Sequence, residues 1–236
     1  MGTFGGAQPI VTDGLVFAVD AANYESYPGS GTTWSDLSGN SNNGTLTNGP
    51  TFDSGNGGSI VFDGTNDYVR VPSAQSFIPT TNMTIEAWQY MEGRDSTILM
   101  VTDGSGANEV LLYNGWASLL NNKFGVAFNS PSGISTWLVS NTTPPLNAWT
   151  HICVTKNGTT ISLYFNAVFD NSNTQSGDVS VGANSPLLIG VDADSGNEGN
   201  LGNYFEGNLS NIKIYNRALT ASEITQNYNA LKNRFV

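Results

Sequence analysis

The chain has little positive charge and almost no cysteine or histidine. Its 236 residues include 8 Lys and Arg against 19 Asp and Glu, for a formal net charge of −11, with one Cys and one His. Nucleic-acid binding depends on basic side chains that neutralise phosphates, so this class of partner is excluded, and an anionic membrane surface would repel the chain. The single cysteine, Cys153, excludes an intrachain disulfide and a thiolate metal cluster.

Long apolar runs are also missing. No stretch approaches the roughly 18 apolar residues of a membrane-spanning helix, so we expect no membrane insertion. Residues 1–8 have no positive charge and no apolar core, and we therefore predict no secretory signal peptide. With neither a signal nor a disulfide, the sequence predicts a chain that folds in a reducing compartment.

Short apolar runs separated by Gly, Asn, Ser and Thr fill most of the chain. This spacing is typical of many strands joined by turns, and it predicts about a dozen strands, enough for two packed sheets. The run from Met83 to Glu92 alternates, with Ile85 on one face and Glu86 on the other. Asn157-Gly158 lies between two such runs and predicts a hairpin turn. The polar segment from Ala21 to Pro50 is predicted to be a loop.

The hydrophobic period changes near the C-terminus. Thr220 and Glu223 have the spacing of a capping box, in which each side chain bonds the other residue's backbone amide. Apolar residues then follow at helical spacing, so we predict a helix over residues 220–235 that packs one face on the sheets. No composition break divides the chain. We predict an N-terminal arm over residues 1–12 and one domain over residues 13–236, with the arm and the helix free for attachment to a partner.

Four segments, in order, resemble the LamG-like branch of the concanavalin A-like lectin/glucanase superfamily. They are TTWSDLSGNSNNGTL at 32–46, GGSIVFDGTNDYVRVP at 57–72 with TIEAWQY at 84–90, WTHICVTKNGTTISLYFNAV at 149–168, and YFEGNLSNIKIYNRALTASEI at 204–224. This resemblance covers most of the chain and rests on several separate motifs. It implies an all-β fold: a two-sheet antiparallel jelly-roll sandwich with a short C-terminal helix.

The segment from Ile10 to Trp34 is similar to proteins encoded by tailed phages, especially marine and cyanobacterial ones. The similarity implies display on the surface of a virion. It agrees with the lack of a signal peptide, because a surface-type protein without one needs another route out of the cell, and lysis provides one. We expect a homo-oligomer or assembly component whose partners are a glycan ligand or other virion proteins.

Catalytic groups are sparse. The glucanase signature of this superfamily would read Glu-x-Asp-x-Glu or Glu-x-Asp-x-x-Glu, and none of the seven Glu residues lies in such a motif. Glu86 and Glu92 would lie about 20 Å apart on one strand, whereas a retaining glycosidase needs carboxyls about 5 Å apart. His151 and Cys153 share a strand face at a spacing too long for a nucleophile–base contact, so we interpret both as structural. We predict that the protein is not an enzyme.

Glycan binding would use exposed aromatic rings against the apolar faces of sugars. Trp34, Trp88 and Trp149 lie in the family motifs and are predicted to pack in the core. Other aromatic residues lie in the variable segment from Glu109 to Asn141, where the concave face and its rim are expected. The candidate ligand-binding residues there are Tyr113, Trp116 and Trp137.

Carboxylate-rich turns are the candidates for a calcium site. Asp63 and Asp67 bracket the turn in FDGTNDYV, and Asp192 and Asp194 lie in an acidic loop at 192–198. The resemblance adds two ligands on neighbouring strands, Asp20 and Asn211, although many relatives have an acidic pair where this chain has Ser and Asn at 210–211. The alternative for both loops is a solvated turn in which Asp caps the backbone.

Together these observations predict a non-enzymatic, lectin-like module displayed on a phage virion, as capsid decoration or on the tail. Its role there would be adhesive contact with host-surface glycans. One alternative is a purely structural cement or spike protein that binds no sugar. A less favoured one is a glucanase-like enzyme whose carboxylate pair comes from distant segments of the chain.

Overall fold

The computed structural model describes residues 9–102, 108–115, 122–129, 135–175, 178–179, 181–182, 184–193 and 198–235. The strands are β1 (Leu15–Asp20), β2 (Thr33–Trp34), β3 (Gly44–Thr47), β4 (Thr51–Asp53), β5 (Ser59–Asp63), β6 (Tyr68–Val71), β7 (Met83–Met91), β8 (Ser96–Thr102), β9 (Asn108–Asn114), β10 (Phe124–Asn129), β11 (Ser135–Val139), β12 (Trp149–Asn157), β13 (Thr160–Phe165), β14 (Val168–Thr174), β15 (Leu187–Ile189), β16 (Asp192–Ala193), β17 (Leu201–Gly202) and β18 (Glu206–Tyr215). Helix α1 (Ala221–Leu231) and a 3-10 turn at Lys232–Arg234 follow.

These strands form two antiparallel sheets. The first sheet has the order β14-β13-β12-β7-β18-β5-β4, and β1 pairs with the C-terminal half of β18. The second sheet has the order β11-β10-β9-β8-β15-β6-β3-β2, while β16 and β17 form a separate ribbon. The predicted all-β antiparallel sandwich with one short C-terminal helix is confirmed.

The core lies between the two sheets and follows the period-two alternation of the strands. On β7, Ile85 and Ala87 point into this core while Glu86 and Trp88 point to the outer face. The predicted alternation is therefore confirmed, yet both faces of β7 are buried because α1 covers the outer one. Aliphatic and aromatic side chains of both sheets form one continuous hydrophobic cluster in the core.

Helix α1 begins at the predicted capping box. The Glu223 backbone amide donates to Thr220 Oγ1 at 3.3 Å, and the Thr220 amide donates to Glu223 Oε2 at 2.8 Å. Hydrogen bonding from Arg217 and from the Thr220 amide lowers the pKa of Glu223 to about 2. The helix ends at Leu231, four residues before the predicted end, and the chain continues as the 3-10 turn. Within the described residues, no helix has the length and apolarity needed to cross a bilayer.

The predicted N-terminal arm covers residues 1–12, of which residues 1–8 lie outside the described residues; residues 9–12 are bonded to the rest of the domain and are not a free arm. Residues 9–12 dock onto α1: the Val11 amide donates to Asn227 Oδ1 at 2.7 Å, and Gln226 Nε2 donates to the Pro9 carbonyl at 2.7 Å. Tyr215 Oη also donates to the Val11 carbonyl at 3.0 Å. The segment and the helix therefore satisfy each other's polar groups at these positions, and the Val11 backbone and the Asn227 side chain are not free to bind a partner.

One connection also differs from the prediction. The expected loop from Ala21 to Pro50 contains β2 and β3, which pair with each other at the edge of the second sheet. The turn between β5 and β6 joins the two sheets, because β5 pairs within the first sheet and β6 within the second. The predicted hairpin at Asn157-Gly158 is confirmed, with Asn157 opposite Thr160.

Candidate functional site

An open cleft lies on the outer face of the first sheet, at the end of β7, β12 and β18. We call it the aromatic cleft, and its volume is about 320 Å³. The antiparallel registers place Trp149 opposite Tyr90 and Asn208 opposite Tyr90, so three adjacent strands present these side chains in one row. The remaining lining residues are Asp53 at the end of β4, Asn56 in the β4–β5 connection and Glu92, which directly follows β7.

The Trp149 ring is held in a fixed position in this cleft. Its centroid lies 5.8 Å from that of Tyr90 and 4.6 Å from that of Phe235. The orientation of the Asn56 amide is assigned from its hydrogen-bond partners. In this orientation Trp149 Nε1 donates to Asn56 Oδ1 at 2.9 Å, and Asn56 Nδ2 donates to the Arg234 carbonyl at 2.8 Å. Contacts from three separate segments therefore leave one part of the half-buried indole facing the cleft.

A glycine brings β18 close to this end of β7. Gly207 has a φ of 130°, and a Cβ atom there would collide with the Tyr90 carbonyl oxygen. The close approach that only glycine permits places Asn208 beside Tyr90. Asn208 Nδ2 donates to Ser59 Oγ at 3.0 Å, which orients its amide.

The cleft combines an aromatic surface with amide and carboxylate groups. Tyr90 and Trp149 supply ring faces, Asn208 and Asn56 supply amides, and Asp53 and Glu92 are exposed carboxylates. Such a set can contact the C–H face of a sugar ring and bond its hydroxyl groups at the same time. Trp149 was predicted to pack in the core, and the structure corrects this. Trp34 and Trp88 are buried, as predicted.

The structure does not bring the predicted sugar-binding aromatics into this cleft. Tyr113 lies on the second sheet and is only 1% exposed, packed in a cluster with Met100 and Leu111. The prediction that its ring is open to a ligand is therefore wrong. Trp137 is half-buried against the same cluster, so its role in binding stays a prediction. Trp116 lies outside the described residues.

On the outer face of the first sheet, away from the aromatic cleft, four polar side chains form a buried group. We call it the buried charge cluster: Glu86, His151, Cys153 and Lys213. Glu86 Oε2 lies 3.7 Å from Lys213 Nζ, and Glu86 Oε1 lies 3.7 Å from His151 Nε2. Asn227 of α1 donates to Glu86 Oε2 at 2.8 Å. Within the described part of the chain, neither imidazole nitrogen has a hydrogen-bond partner.

Burial keeps the histidine and the cysteine in this cluster neutral. Desolvation, with the Lys213 ammonium as a second cause, lowers the pKa of His151 to about 3. Desolvation and the Glu86 carboxylate raise the pKa of the Cys153 thiol, and desolvation raises that of Glu86 against the pull of Lys213. A neutral thiol with no route to solvent is not an activated nucleophile, which supports the structural interpretation of both residues.

Two of the predicted calcium ligands are already bonded to cationic side chains. Arg234 donates to both carboxylate oxygens of Asp20, at 3.1 and 2.9 Å, and to Ser210 Oγ at 2.6 Å. Lys213 Nζ donates to Asn211 Oδ1 at 3.0 Å. A guanidinium and an ammonium thus occupy the oxygens that a calcium ion would need, so Asp20 and Asn211 do not fit a calcium site.

The other predicted ligands hold their own loops. Asp63 Oδ1 accepts from the Thr65 amide at 2.8 Å, and the buried Asp67 accepts from the Asp63 amide at 3.2 Å. Asp192 accepts from Asn203 at 3.3 Å, whereas Asp194 lies outside the described residues. In the parts of the chain that the structure describes, no three His, Cys, Asp or Glu side chains are grouped as a metal site. Calcium at loop 192–198 stays a prediction.

Comparison with solved structures shows the same fold. Domain 4 of AbnA, a GH43 extracellular arabinanase from Geobacillus stearothermophilus in complex with arabinotriose, superposes with a TM-score of 0.67 at 22% identity, over 91% of this chain and 98% of that domain. The binding domain of Paraclostridial Mosquitocidal Protein 1 gives 0.69 at 20% identity, over 93% of this chain. The binding domain of botulinum neurotoxin serotype D gives 0.66 at 13% identity, over 92% of this chain.

The share of each similar structure that this chain covers differs between these comparisons. It spans nearly all of the arabinanase domain but only 52% of each of the two toxin binding domains. No curated protein matches the chain in sequence. The family model described as Concanavalin A-like lectin/glucanases superfamily matches residues 63–225, which is more than half of the chain. The protein therefore belongs to the concanavalin A-like lectin/glucanase superfamily.

Proposed function

We propose that this protein is a non-enzymatic carbohydrate-binding module and that its sugar site is the aromatic cleft. The observation that carries the proposal is the row of Trp149, Tyr90 and Asn208, with the indole held by Asn56 and Phe235 before any ligand arrives. A ring already ordered loses little side-chain entropy on binding. The arabinotriose complex of the structurally similar arabinanase domain supports the same class of ligand.

The composition of the cleft favours neutral sugars. Asp53 and Glu92 are acceptors for hydroxyl groups, and they would repel the carboxylate of an acidic sugar. The chain as a whole carries a formal net charge of −11, which adds to this repulsion at low salt. We therefore expect neutral oligosaccharides to bind in preference to uronic or sialic acids.

The test is calorimetric titration with a panel of neutral oligosaccharides, arabinotriose among them, against Trp149→Ala and Trp137→Ala. We expect Trp149→Ala to weaken binding at least about tenfold, because the stacked ring is lost, and Trp137→Ala to bind like the parent protein. The reverse result would move the site to the second sheet. Tyr24→Ala, which removes an aromatic ring that is 76% exposed, is the matched control.

Two further measurements complete the test. Glu92→Ala changes an exposed side chain of the cleft and is expected to weaken sugar binding without loss of folding, which covers the case in which Trp149→Ala is unstable. Release of reducing ends from the same oligosaccharides, abolished in Glu92→Gln, would show a glycosidase and contradict the non-enzymatic proposal. Binding to no member of a broad glycan array would favour the purely structural alternative.

We further propose that the module is displayed on the surface of a phage virion, as capsid decoration or on the tail. The support is the similarity of the segment from Ile10 to Trp34 to tailed-phage proteins. Antibody labelling of purified particles in electron microscopy tests this location, and labelled particles that bind host-surface glycans through Trp149 would join the two proposals. Unlabelled particles would leave the sugar site standing and reject the location.

A further inference from the structure

A second cavity lies on the outer face of the first sheet, between β1 and the C-terminal end of α1. We call it the apolar pocket, and its volume is about 320 Å³. Aliphatic side chains form most of its wall, including Leu15, Ala18, Leu37 and Leu231. The pocket shares no lining residue with the aromatic cleft. Its size lies at the lower end of the range for small-molecule sites.

The polar part of the wall offers hydrogen-bond donors. Asn211 is fully buried, and its Nδ2 has no hydrogen-bond partner among the described residues, while its Oδ1 accepts from Lys213. Lys213 is 4% exposed, and its ammonium has three N–H groups of which one is used by Asn211. The Lys213 charge is paired with the Glu86 carboxylate, whose Oε2 lies 3.7 Å from Nζ. A buried donor without an acceptor is costly, so Asn211 Nδ2 favours a ligand that accepts, and the Lys213 ammonium lies beside it.

The surrounding charges leave room for an anion. Asp20 also lines the pocket, but both of its oxygens accept from Arg234, so that pair is already neutral. Glu86, the ion-pair partner of Lys213, does not line the pocket. The donors beside the aliphatic wall are therefore the Asn211 amide and the ammonium of the Lys213–Glu86 pair.

We propose that the apolar pocket binds a small aliphatic carboxylate. The carboxylate would accept from Asn211 Nδ2 and Lys213 Nζ, and the alkyl chain would contact Leu15, Leu37 and Leu231. Charge-assisted hydrogen bonds supply the recognition of the head group, and burial of the chain supplies most of the remaining affinity. This site is separate from the proposed sugar site and does not depend on it.

The test is calorimetric titration of the full chain with octanoate and with 1-octanol, both below the concentrations at which they aggregate. We expect octanoate to bind at one saturable site and 1-octanol to bind at least about tenfold more weakly, because it cannot form the charge-assisted bonds. Equal affinity for the two compounds would overturn the assignment of the head group. Absence of saturable octanoate binding would overturn the proposal as a whole.

Variants locate the site. Leu37→Trp narrows the pocket from its rim, and Leu146→Trp is its matched control, since the two leucines are 38% and 37% exposed and only Leu37 lines the pocket. We expect Leu37→Trp to weaken octanoate binding at least about tenfold and Leu146→Trp to leave it unchanged. Asn211→Leu, checked for folding by circular dichroism, should weaken it similarly.

Amide chemical shifts provide a readout that does not depend on any variant. Octanoate should shift the backbone amides of residues 18–20 and 211–213, which border the pocket on β1 and β18. Shifts confined to residues 90 and 149 would place the ligand in the aromatic cleft instead and overturn the proposal. Normal octanoate binding by Leu37→Trp would do the same.

Discussion

The outer face of the first sheet is open at one end and closed in the middle, although the same strands build both regions. Tyr90 faces Trp149 in the aromatic cleft, and four residues away along the same two strands Glu86 faces Cys153 in the buried charge cluster. Helix α1 covers the second pair, while Arg234 and Phe235, which follow the helix, lie at the edge of the first. The path of the C-terminal segment therefore decides which side chains of these strands can meet a ligand.

The two regions also differ in what their charges contribute to stability. Glu92 in the cleft is exposed, and solvent screens its interactions. Glu86 and Lys213 have lost their hydration, and each compensates the other at 3.7 Å. Removal of one buried partner should therefore lower the free energy of unfolding strongly, whereas removal of an exposed carboxylate should change it little.

Glu86→Ala has the largest expected effect. It leaves the Lys213 ammonium buried without its counter-charge and takes an acceptor from Asn227, so we expect a loss of about 3 to 5 kcal/mol in the free energy of unfolding. Urea denaturation followed by circular dichroism measures it. Glu92→Ala, on the same face six positions along the chain, is the control and should stay within about 0.5 kcal/mol of the parent. Similar losses for the two variants would contradict the difference between the regions.

Much of the fold is predictable from local patterns. The alternation of β7, the Asn157-Gly158 hairpin and the capping box at Thr220 each depend on residues close in sequence, and the structure confirms all three. The hairpin between β13 and β14 could not be predicted in this way. Its turn residues Asn166 and Ala167 both have positive φ, and the sequence has no glycine there to indicate the turn. The pairing of β2 with β3 is likewise too short to leave a periodic signal.

The candidate site was much less predictable than the fold. Trp149 begins a strand in a family motif, and its accessibility depends on Asn56 and Phe235, which are distant from it in sequence. Tyr113 has the alternating environment of a strand residue, but the outer face of the second sheet is itself packed. Sequence periodicity shows which side of a strand a residue lies on, and cannot show what covers that side.

His151→Phe has an intermediate expected effect, on the pH dependence of stability. The folded-state pKa of His151 is about 3, below its ordinary value of 6.5, so between these values the unfolded chain binds a proton that the folded chain does not. The contribution of neutral His151 to the free energy of unfolding is therefore fully present above pH 6.5 and is lost as the pH falls below it. The loss amounts to about 2 kcal/mol between pH 7 and pH 5. The phenylalanine variant should lack it.

Equilibrium unfolding of both proteins across this pH range measures the difference. Burial also raises the pKa of Glu86, which adds a contribution of opposite sign as the pH rises, so the result is read as the parent protein minus the variant. At pH 7 the variant should be as stable as the parent, because it keeps a ring beside Trp88 and Tyr228 and removes two unpaired nitrogens. A difference that does not change with pH would contradict the prediction, because it would show that folding does not lower the pKa of His151.

Arg234→Met has the smallest expected effect on stability. It tests most directly whether the C-terminal segment shapes the aromatic cleft. Its guanidinium holds the end of the chain against the first sheet through Asp20, Ser210 and the Asn56 carbonyl. Ser210 is buried, but Asp20 is only partly buried and Asn56 is exposed, so we expect a loss of about 1 to 2 kcal/mol in the free energy of unfolding. Phe235 would then be less well held against Trp149, and sugar affinity should fall although Arg234 does not line the cleft.

Arg217→Met is the matched control, since Arg217 also joins an acidic side chain, Glu223, at 2.7 Å, but lies away from the cleft. Both variants should lose comparable stability in urea, and only Arg234→Met should weaken the binding of the oligosaccharide that the parent protein binds. If both variants bound sugar like the parent, the strands alone would hold Trp149 in position in the aromatic cleft. The C-terminal segment would then cover the buried charge cluster without affecting the aromatic cleft.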